Sequence, residues 1–284
     1  MGSQQFNKLS HLTASSRARA LADMAEGPEL DVLVIGGGIT GAGIALDAAT
    51  RGLRTGIVEA GDWAAGTSAW SSKLIHGGLR YLYNLDFKLV AEALKERGLL
   101  LEKIAPHLVH AQPFLWPLKT PVIERSYSAI GIGMYDALAY IGSRGKKGVP
   151  SQRHFTKKGT KTVFPDIKDS AFTGAIQFYD ARVDDARLVV DVVRTASGYG
   201  AMAASRTQVV GIDKDSSGKV VGARLADLES GQELTVKAKH IINATGVWTE
   251  ESESLANPDA GLEVLASKGI HIVVPRDRIQ ATSG

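Results

Sequence analysis

The 284 residues are 44% hydrophobic and 22% charged, the balance of a globular protein long enough for one large or two ordinary domains. With no cysteine, disulfides, iron–sulfur ligation and thiolate catalysis are excluded; the composition fits a reducing compartment, and cytoplasmic residence is the expectation. The net charge of +3 comes from scattered Lys and Arg, without the basic, aromatic-interleaved runs of a nucleic-acid binder, and leaves only weak attraction to anionic lipid or an anionic substrate.

The N-terminus lacks a secretory signal. Residues 1–30 read as an extension carrying a short surface helix over Arg17–Glu26 and closed by Gly27-Pro28. Val32–Ile35 is a short, β-branched, apolar run that predicts a buried parallel strand. Gly36, Gly38 and Gly41 follow where the strand turns into a helix. The first permits the tight turn, the second lets a pyrophosphate approach the backbone, and the third lets helix pack on strand. The helix N-terminus then offers free N–H groups to the phosphates. Ile44, Ala45, Ala48 and Ala49 form its apolar side, and Arg51-Gly52 is its stop. The next strand ends in Glu59, whose carboxylate can accept hydrogen bonds from a ribose. Strand, glycine turn, helix, strand and acid in that order specify a dinucleotide site. The charge-free stretch Val32–Leu46 is too short and glycine-rich to span a bilayer.

A polar loop follows, with Thr67, Ser68, Ser71, Ser72 and Lys73. It is either a surface loop or the place where hydroxyls, N–H groups and the Lys73 cation hold pyrophosphate and flavin; a loop leaving the C-terminal side of such a sheet favours the second. In His76-Gly-Gly-Leu-Arg-Tyr, Gly77 and Gly78 permit close approach of backbone to a planar ring, and Arg80 is a fixed cation suited to phosphate or carboxylate. A lone His is more often structural than catalytic, and position alone favours the structural reading of His76. Residues 86–104 predict one amphipathic helix with Phe87, Val90, Leu94 and Leu101 on one side. Pro106, Pro113, Pro117 and Pro121 suit extended chain and crossings between domains. Ile130–Ile141 predicts a buried helix, and the Lys/Arg-rich stretch 144–161 a solvated, mobile loop.

A second strand–helix unit is expected from Ala175, its helix capped by Asp184 or Asp185, lined by Leu188, Val189, Val192 and Val193, and ended by Gly198 or Gly200. Three strands are expected near 206–213, 219–227 and 233–239, with turns at Ser216-Ser-Gly and Glu229-Ser-Gly. Ile241-Ile242 then runs into Asn243-Ala-Thr-Gly. The acidic stretch around Glu250–Glu263 carries no clear motif. His271 and Val273 share a face of an alternating strand pattern, and Arg276 is either an anion ligand or a strand-end charge. A nicotinamide dehydrogenase continues its strand–helix alternation. A flavoprotein of the glutathione-reductase type inserts a meander, then returns to the sheet with a small-residue turn under the cofactor, as Ala244-Thr-Gly246 would supply. FAD is therefore expected rather than NAD.

The fold class expected is α/β: an FAD/NAD(P)-binding Rossmann domain with a β-meander, plus an interleaved, incomplete substrate domain with an antiparallel sheet. The boundaries are 1–30 for the extension, 31–104 and 183–262 for the FAD-binding domain, and 105–182 and 263–284 for the substrate domain.

The chain resembles the FAD-dependent, quinone-linked glycerol-3-phosphate dehydrogenases. The resemblance rests on Val34-Ile-Gly-Gly-Gly-Ile-Thr-Gly-Ala-Gly-Ile-Ala, Ser71-Ser-Lys-Leu-Ile-His-Gly-Gly-Leu-Arg-Tyr-Leu, Ala105-Pro-His-Leu, Met134-Tyr-Asp, Val183-Asp-Asp-Ala-Arg-Leu, Asn243-Ala-Thr-Gly-Val-Trp and Lys268-Gly-Ile-His-Ile-Val-Val-Pro-Arg. It implies oxidation of sn-glycerol 3-phosphate to dihydroxyacetone phosphate, with hydride passing from C2 to flavin N5. Membrane quinone would be the electron acceptor, reached by peripheral contact with the cytoplasmic face of the membrane. By resemblance, His271 is the first candidate for the general base and His76 the second, since neutral imidazole suits proton removal near pH 7. Arg80 would bind phosphate or a developing oxyanion, with Tyr81 and Arg276 as further substrate contacts. The cofactor set is Gly36, Gly38, Gly41, Glu59, Thr67, Ser68, Ser72, Lys73, Leu74, His76, Val209, Ala244 and Gly246; no metal ligand is expected. Another FAD-dependent amine or 2-hydroxy-acid oxidase, or a non-catalytic fragment, are the competing readings. Family members run well beyond this chain, so the expectation is a fragment or truncated product that is not a competent dehydrogenase by itself.

Overall fold

A computed structural model describes residues 6, 9–82, 84–120, 122–142, 148–257, 259, 261–265, 267 and 269–284; the side chains of Arg80, Leu82 and Ile141 also lie outside the described set. Two compact units emerge, Met1–Ser71 with Asp185–Gly269, and Ser72–Asp184 with Ile270–Gly284. The strands, in chain order, are β1 (Leu30–Ile35), β2 (Thr55–Val58), β3 (Leu74–Ile75), β4 (His110–Leu118), β5 (Arg153–Thr156), β6 (Gly174–Arg182), β7 (Met202–Ala204), β8 (Thr207–Lys214), β9 (Val220–Asp227) and β10 (Glu233–Asn243). The helices are α1 (Ala14–Glu26), α2 (Ile39–Thr50), α3 (Leu79–Leu82), α4 (Phe87–Leu99), α5 (Ile123–Gly142), α6 (Lys157–Val163), α7 (Asp185–Gly198) and α8 (Thr249–Ser254).

The first unit is built on one sheet in the order β7-β2-β1-β10-β9-β8. β2, β1 and the end of β10 run parallel, and β8, β9 and the start of β10 form the antiparallel meander. The meander's third strand and the strand returning to the sheet are one element. Residues 233–237 pair with β9, and from Ala238 the same strand pairs with β1; no turn residue between Lys237 and Ile241 interrupts it. α2 and α7 pack through small side chains, Ala42, Ala45, Ala48, Ala49 and Ala196, over Val32, Val34 and Ile57. Each such buried Val or Ile contributes about 1.5–3 kcal/mol.

The segment expected as an extension packs, over its residues 13–30, onto the first unit. Thr13 and Ser16 form a reciprocal capping box, with Ser16 N–H to Thr13 Oγ1 at 3.1 Å and Thr13 N–H to Ser16 Oγ at 2.8 Å. Leu21 and Met24 of α1 are buried with Leu30, Leu33, Val58 and Leu225. Arg17 donates to the Asp227 carboxylate and, at 2.7 Å, to the Ser205 carbonyl.

The second unit holds an antiparallel sheet in the order β3-β6-β4, with β5 also pairing β6. Pro113 and Pro117 therefore lie within a strand rather than in a crossing; β4 is at the sheet edge, where a missing N–H is tolerated. β6 belongs to this sheet and α7 to the other unit, so the expected second strand–helix unit is not one unit of structure. Segment 72–104 groups here instead of with residues 31–71, because β3 pairs with β6 and α4 packs Val90 and Leu94 on Tyr135 of α5. α4 gives way to a π-helical turn at Leu100–Ile104, and Phe87 is exposed. α5 begins earlier than expected and buries Ile132 and Tyr135 while exposing Tyr127 and Ile130.

Within the stretch 144–161 expected as a loop, residues 144–147 lie outside the described residues and 148–152 are in neither helix nor strand. Residues 153–161 lie in β5 and α6, the latter capped by Thr156 Oγ1 accepting from Gly159 N–H at 3.2 Å. Residues 270–275 form no strand, and His271 is exposed. Alternation makes a strand only where another strand supplies hydrogen bonds, and none among the described residues does so here. No helix among the described residues is long and apolar enough to cross a membrane.

Candidate cofactor and active site

In the first unit the turn after β1 brings six of the expected residues together: Gly36, Gly38, Gly41, Glu59, Ser68 and Ala244. Gly36 has φ 112° and donates its N–H to the Val58 carbonyl at 2.9 Å. A Cβ there would lie 2.5 Å from the Ala244 carbonyl oxygen. A Cβ on Gly41 would collide with the Gly36 carbonyl, so that glycine exists to let α2 close on the strand. Gly38 is different. The nearest atom to a Cβ built there is Ser68 Oγ at 3.2 Å, so the protein's own backbone does not require its bareness. A hydrogen at this position leaves a cradle at the start of α2.

That helix start is electropositive by construction. Its first turn contains no acidic residue, and Ile39 N–H donates to Ser68 Oγ at 2.9 Å. Ser68 thus takes up one of the free N–H groups of the helix's first turn. Thr67 is in the same loop, its carbonyl accepting from Trp70 N–H at 3.1 Å. Ser71 is committed elsewhere, donating to Asp185 Oδ2 at 2.7 Å.

Glu59 follows β2 directly. Its Oε2 accepts from Gly37 N–H at 2.6 Å and its Oε1 from Gly61 N–H at 2.7 Å. Two backbone donors fix the carboxylate, and each oxygen keeps a further lone pair for a ribose hydroxyl. At the end of β10, Ala244 N–H donates to the Ile35 carbonyl at 2.8 Å, and Asn243 Oδ1 accepts from Thr245 Oγ1 at 2.7 Å. Gly246 completes that turn at φ 61°. Val209 packs its side chain into the core with Leu225 and Val236, leaving only its backbone for a ligand. The ends of β1, β2 and β10 thus present a bare glycine, a helix N-terminus, a fixed carboxylate and a small-residue turn, and these fit a dinucleotide.

In the second unit, Ser72 and Lys73 are exposed; Lys73 has φ 58°, and its carbonyl accepts from Val183 N–H at 2.9 Å. Leu74 pairs with Arg182 and Ile75 with Ala181. His76 is exposed, while Gly77 and Gly78 are buried. Gly77 has a cause other than approach to a flat ring. A Cβ on it would collide with Leu94 and the Tyr135 hydroxyl. At Gly78, φ is 75° and a Cβ would meet the Tyr81 ring at 2.5 Å. Tyr81 packs against Val90, Leu94 and Tyr135. The Arg80 side chain lies outside the described residues. Arg276 turns its guanidinium onto local carbonyls, Ile279 at 2.5 Å and Ala281. No described hydrogen bond joins exposed His271 to His76, Tyr81 or Arg276.

The sequence reading missed the charged heart of this unit: Arg97, Tyr135 and Asp180, all buried. Arg97 pairs with Asp180, and Tyr135 Oη donates to Asp180 Oδ1 at 2.7 Å. Burial, and then the neighbouring Asp180 charge, push the Tyr135 hydroxyl above the ordinary tyrosine range, keeping it a neutral donor. One signal was available. Val90, Leu94, Arg97 and Leu101 follow one helical stripe, so Arg97 stands at a core position.

The sequence profile described as "FAD dependent oxidoreductase" matches residues 31–283. Glycerol-3-phosphate dehydrogenase 2 of Mycobacterium tuberculosis is 51% identical over 251 residues, covering 88% of this chain and 42% of that protein. Alpha-glycerophosphate oxidase of Streptococcus pyogenes is 38% identical over 268 residues, covering 93% of this chain and 43% of that protein. Among solved structures, the glycerol-3-phosphate dehydrogenase of Bacillus halodurans complexed with FAD matches with TM-score 0.64 and 30% identity, over 87% of this chain and 40% of that one. The chain spans less than half the length of these relatives. With the glycine turn, the fixed acid and the returning strand in place, the chain belongs to the FAD dependent oxidoreductase family.

Proposed function

We propose that this protein oxidises sn-glycerol 3-phosphate to dihydroxyacetone phosphate and passes the electrons to quinone, with peripheral contact at the cytoplasmic face of the membrane. The observation that carries the substrate assignment is 51% identity over 251 residues to a glycerol-3-phosphate dehydrogenase. The Ser71–Leu82 block supports the same family. FAD, when bound, supplies at N5 the acceptor for the hydride leaving C2. The chain's own residues do the rest. Gly38, the α2 N-terminus and Ser68 receive the pyrophosphate, and Glu59 holds the ribose. Ala244 and Gly246 lie along the cofactor, while Thr67, Ser72, Lys73 and Leu74 complete its binding. His271, or His76 in its place, removes the C2 hydroxyl proton. Arg80 binds the phosphate or the oxygen that gains charge, and Tyr81 and Arg276 assist it. The first unit carries the nucleotide site and the second the residues assigned to substrate.

Anaerobic addition of glycerol 3-phosphate should bleach the flavin, whereas amino acids and 2-hydroxy acids should not. Bleaching by either of those, with glycerol 3-phosphate inert, would contradict the assignment. In a version extended to family length, His271→Ala should lower kcat by roughly 10²–10⁴; an unchanged kcat moves the base to His76 or elsewhere. Turnover with a short-chain quinone should outpace oxygen consumption, and the reverse would make the protein an oxidase.

A further inference from the structure

We propose that Arg97, Tyr135 and Asp180 are positioning residues that pin the backbone at Gly77 and so fix where His76 stands. The proposal rests on the reading above that the His76 segment serves the flavin and substrate.

The strand β6 has two partners along one edge. β5 pairs with Gly174–Gln177 and β3 with Ala181 and Arg182, which leaves Phe178, Tyr179 and Asp180 without a strand there. Side chains fill the break. Arg97 Nη1 donates to the Tyr179 carbonyl at 3.1 Å and to the Asp180 carboxylate. Asp180 Oδ1 also accepts from Tyr135 Oη at 2.7 Å and from Gly77 N–H at 3.1 Å. Tyr135 Oη in turn accepts from Gly77 N–H at 2.8 Å and from Arg97 Nη1 at 3.2 Å. The Arg97 guanidinium lies 5.3 Å from the Tyr135 ring centroid.

Stability alone gives no reason for this cluster. Moving two charges out of water costs as much as their attraction returns, and apolar residues of equal volume avoid the cost. Among the described residues, the buried Arg97 Nε has no hydrogen-bond acceptor. What the cluster supplies is direction. Where the β3 ladder ends at Ile75, two acceptors take the Gly77 N–H, and the bare Gly77 lets Leu94 and Tyr135 close against it. His76 is the one residue between these two anchors, exposed while its successors are buried. It is held from both sides by backbone.

The test uses flavin-loaded protein carrying Tyr135→Phe, which removes the hydroxyl and leaves the ion pair, and Asp180→Asn. Hydrogen exchange of the Gly77 amide should accelerate about tenfold in each. Flavin content should hold, while the rate of flavin reduction by glycerol 3-phosphate falls about tenfold and KM changes less than about twofold. Val90→Ala, which trims the same apolar cluster, should lower Tm and move neither readout. If Val90→Ala at equal Tm loss moves both, the cluster is only structural and the proposal fails. Unchanged Gly77 exchange in Tyr135→Phe also overturns it. So does faster exchange with unchanged flavin reduction, provided His76→Ala slows reduction. If His76→Ala has no effect, the underlying reading of the site has failed, and Gly77 exchange alone decides the anchoring. Should Asp180→Asn not fold, Tyr135→Phe carries every readout.

Discussion

Two glycine-rich turns, Gly36–Gly41 and Gly77–Gly78, look alike in the sequence and are bare for different reasons. In the first, Gly36 and Gly41 are pressed by backbone from the returning strand and from the turn itself, but Gly38 faces only a serine hydroxyl. In the second, Gly77 is pressed by Leu94 and Tyr135, and its N–H is consumed by a buried carboxylate and phenol. A glycine in the sequence does not say what uses the space of the missing Cβ. Only the neighbours say whether a ligand or the protein itself fills the space.

The largest expected effect breaks the second turn. Asp180→Ala leaves the Arg97 cation buried and unpaired, and should destabilise by about 3–5 kcal/mol in denaturant unfolding. A loss under about 1 kcal/mol would mean that the pair is solvated. In the first turn, Gly41→Ala forces backbone rather than a flexible side chain to move, and should cost about 3 kcal/mol, near the top of the over-packing range. A thermal midpoint equal to the parent's would contradict the packing role.

A smaller effect sharpens the boundary of the first unit. Asp227 is held at about 2 against an ordinary 3.8, first by the hydrogen bond from Arg17. A carboxyl with a depressed folded pKa contributes stability above its unfolded value, and that stability is lost as pH falls through the folded value. Stability should therefore drop as pH falls from about 4 to about 2. Arg17→Met should flatten that dependence and cost about 1–2 kcal/mol near neutrality. An unaltered acid limb in the variant would show that α1 is not clipped to the meander through this pair.

The βαβ core was legible because its signals are local: a β-branched run, glycines at fixed offsets, an alanine-sided helix and a terminal acid fall within about thirty residues. The meander was legible from its Ser-Gly turns. What escaped depended on distant partners. β5 becomes a strand only by pairing with β6, while His271 lies in an equally strand-like pattern and has no described partner. α1 reads as a polar surface helix until Leu21 and Met24 find Leu33 and Leu225. In the first unit, Gly36, Gly38, Gly41 and Glu59 meet around one turn, and Ala244 reaches it from the end of β10. Arg97 and Asp180 were hidden because a charge in a helix or strand normally points to water.

Gly38 carries the smallest expected cost in stability and the central claim. Gly38→Ala adds a Cβ whose nearest protein atom is a hydroxyl at 3.2 Å and puts Ala at the helix N-cap, so the change in stability should stay within about 1 kcal/mol. The same methyl group would intrude on the space assigned to the pyrophosphate. Measured as flavin absorbance per folded chain, with Tm recorded on the same sample, Gly38→Ala should keep its fold and lose FAD affinity by about tenfold or more. A folded variant that retains FAD with unchanged affinity would show that the cofactor does not lie across this turn.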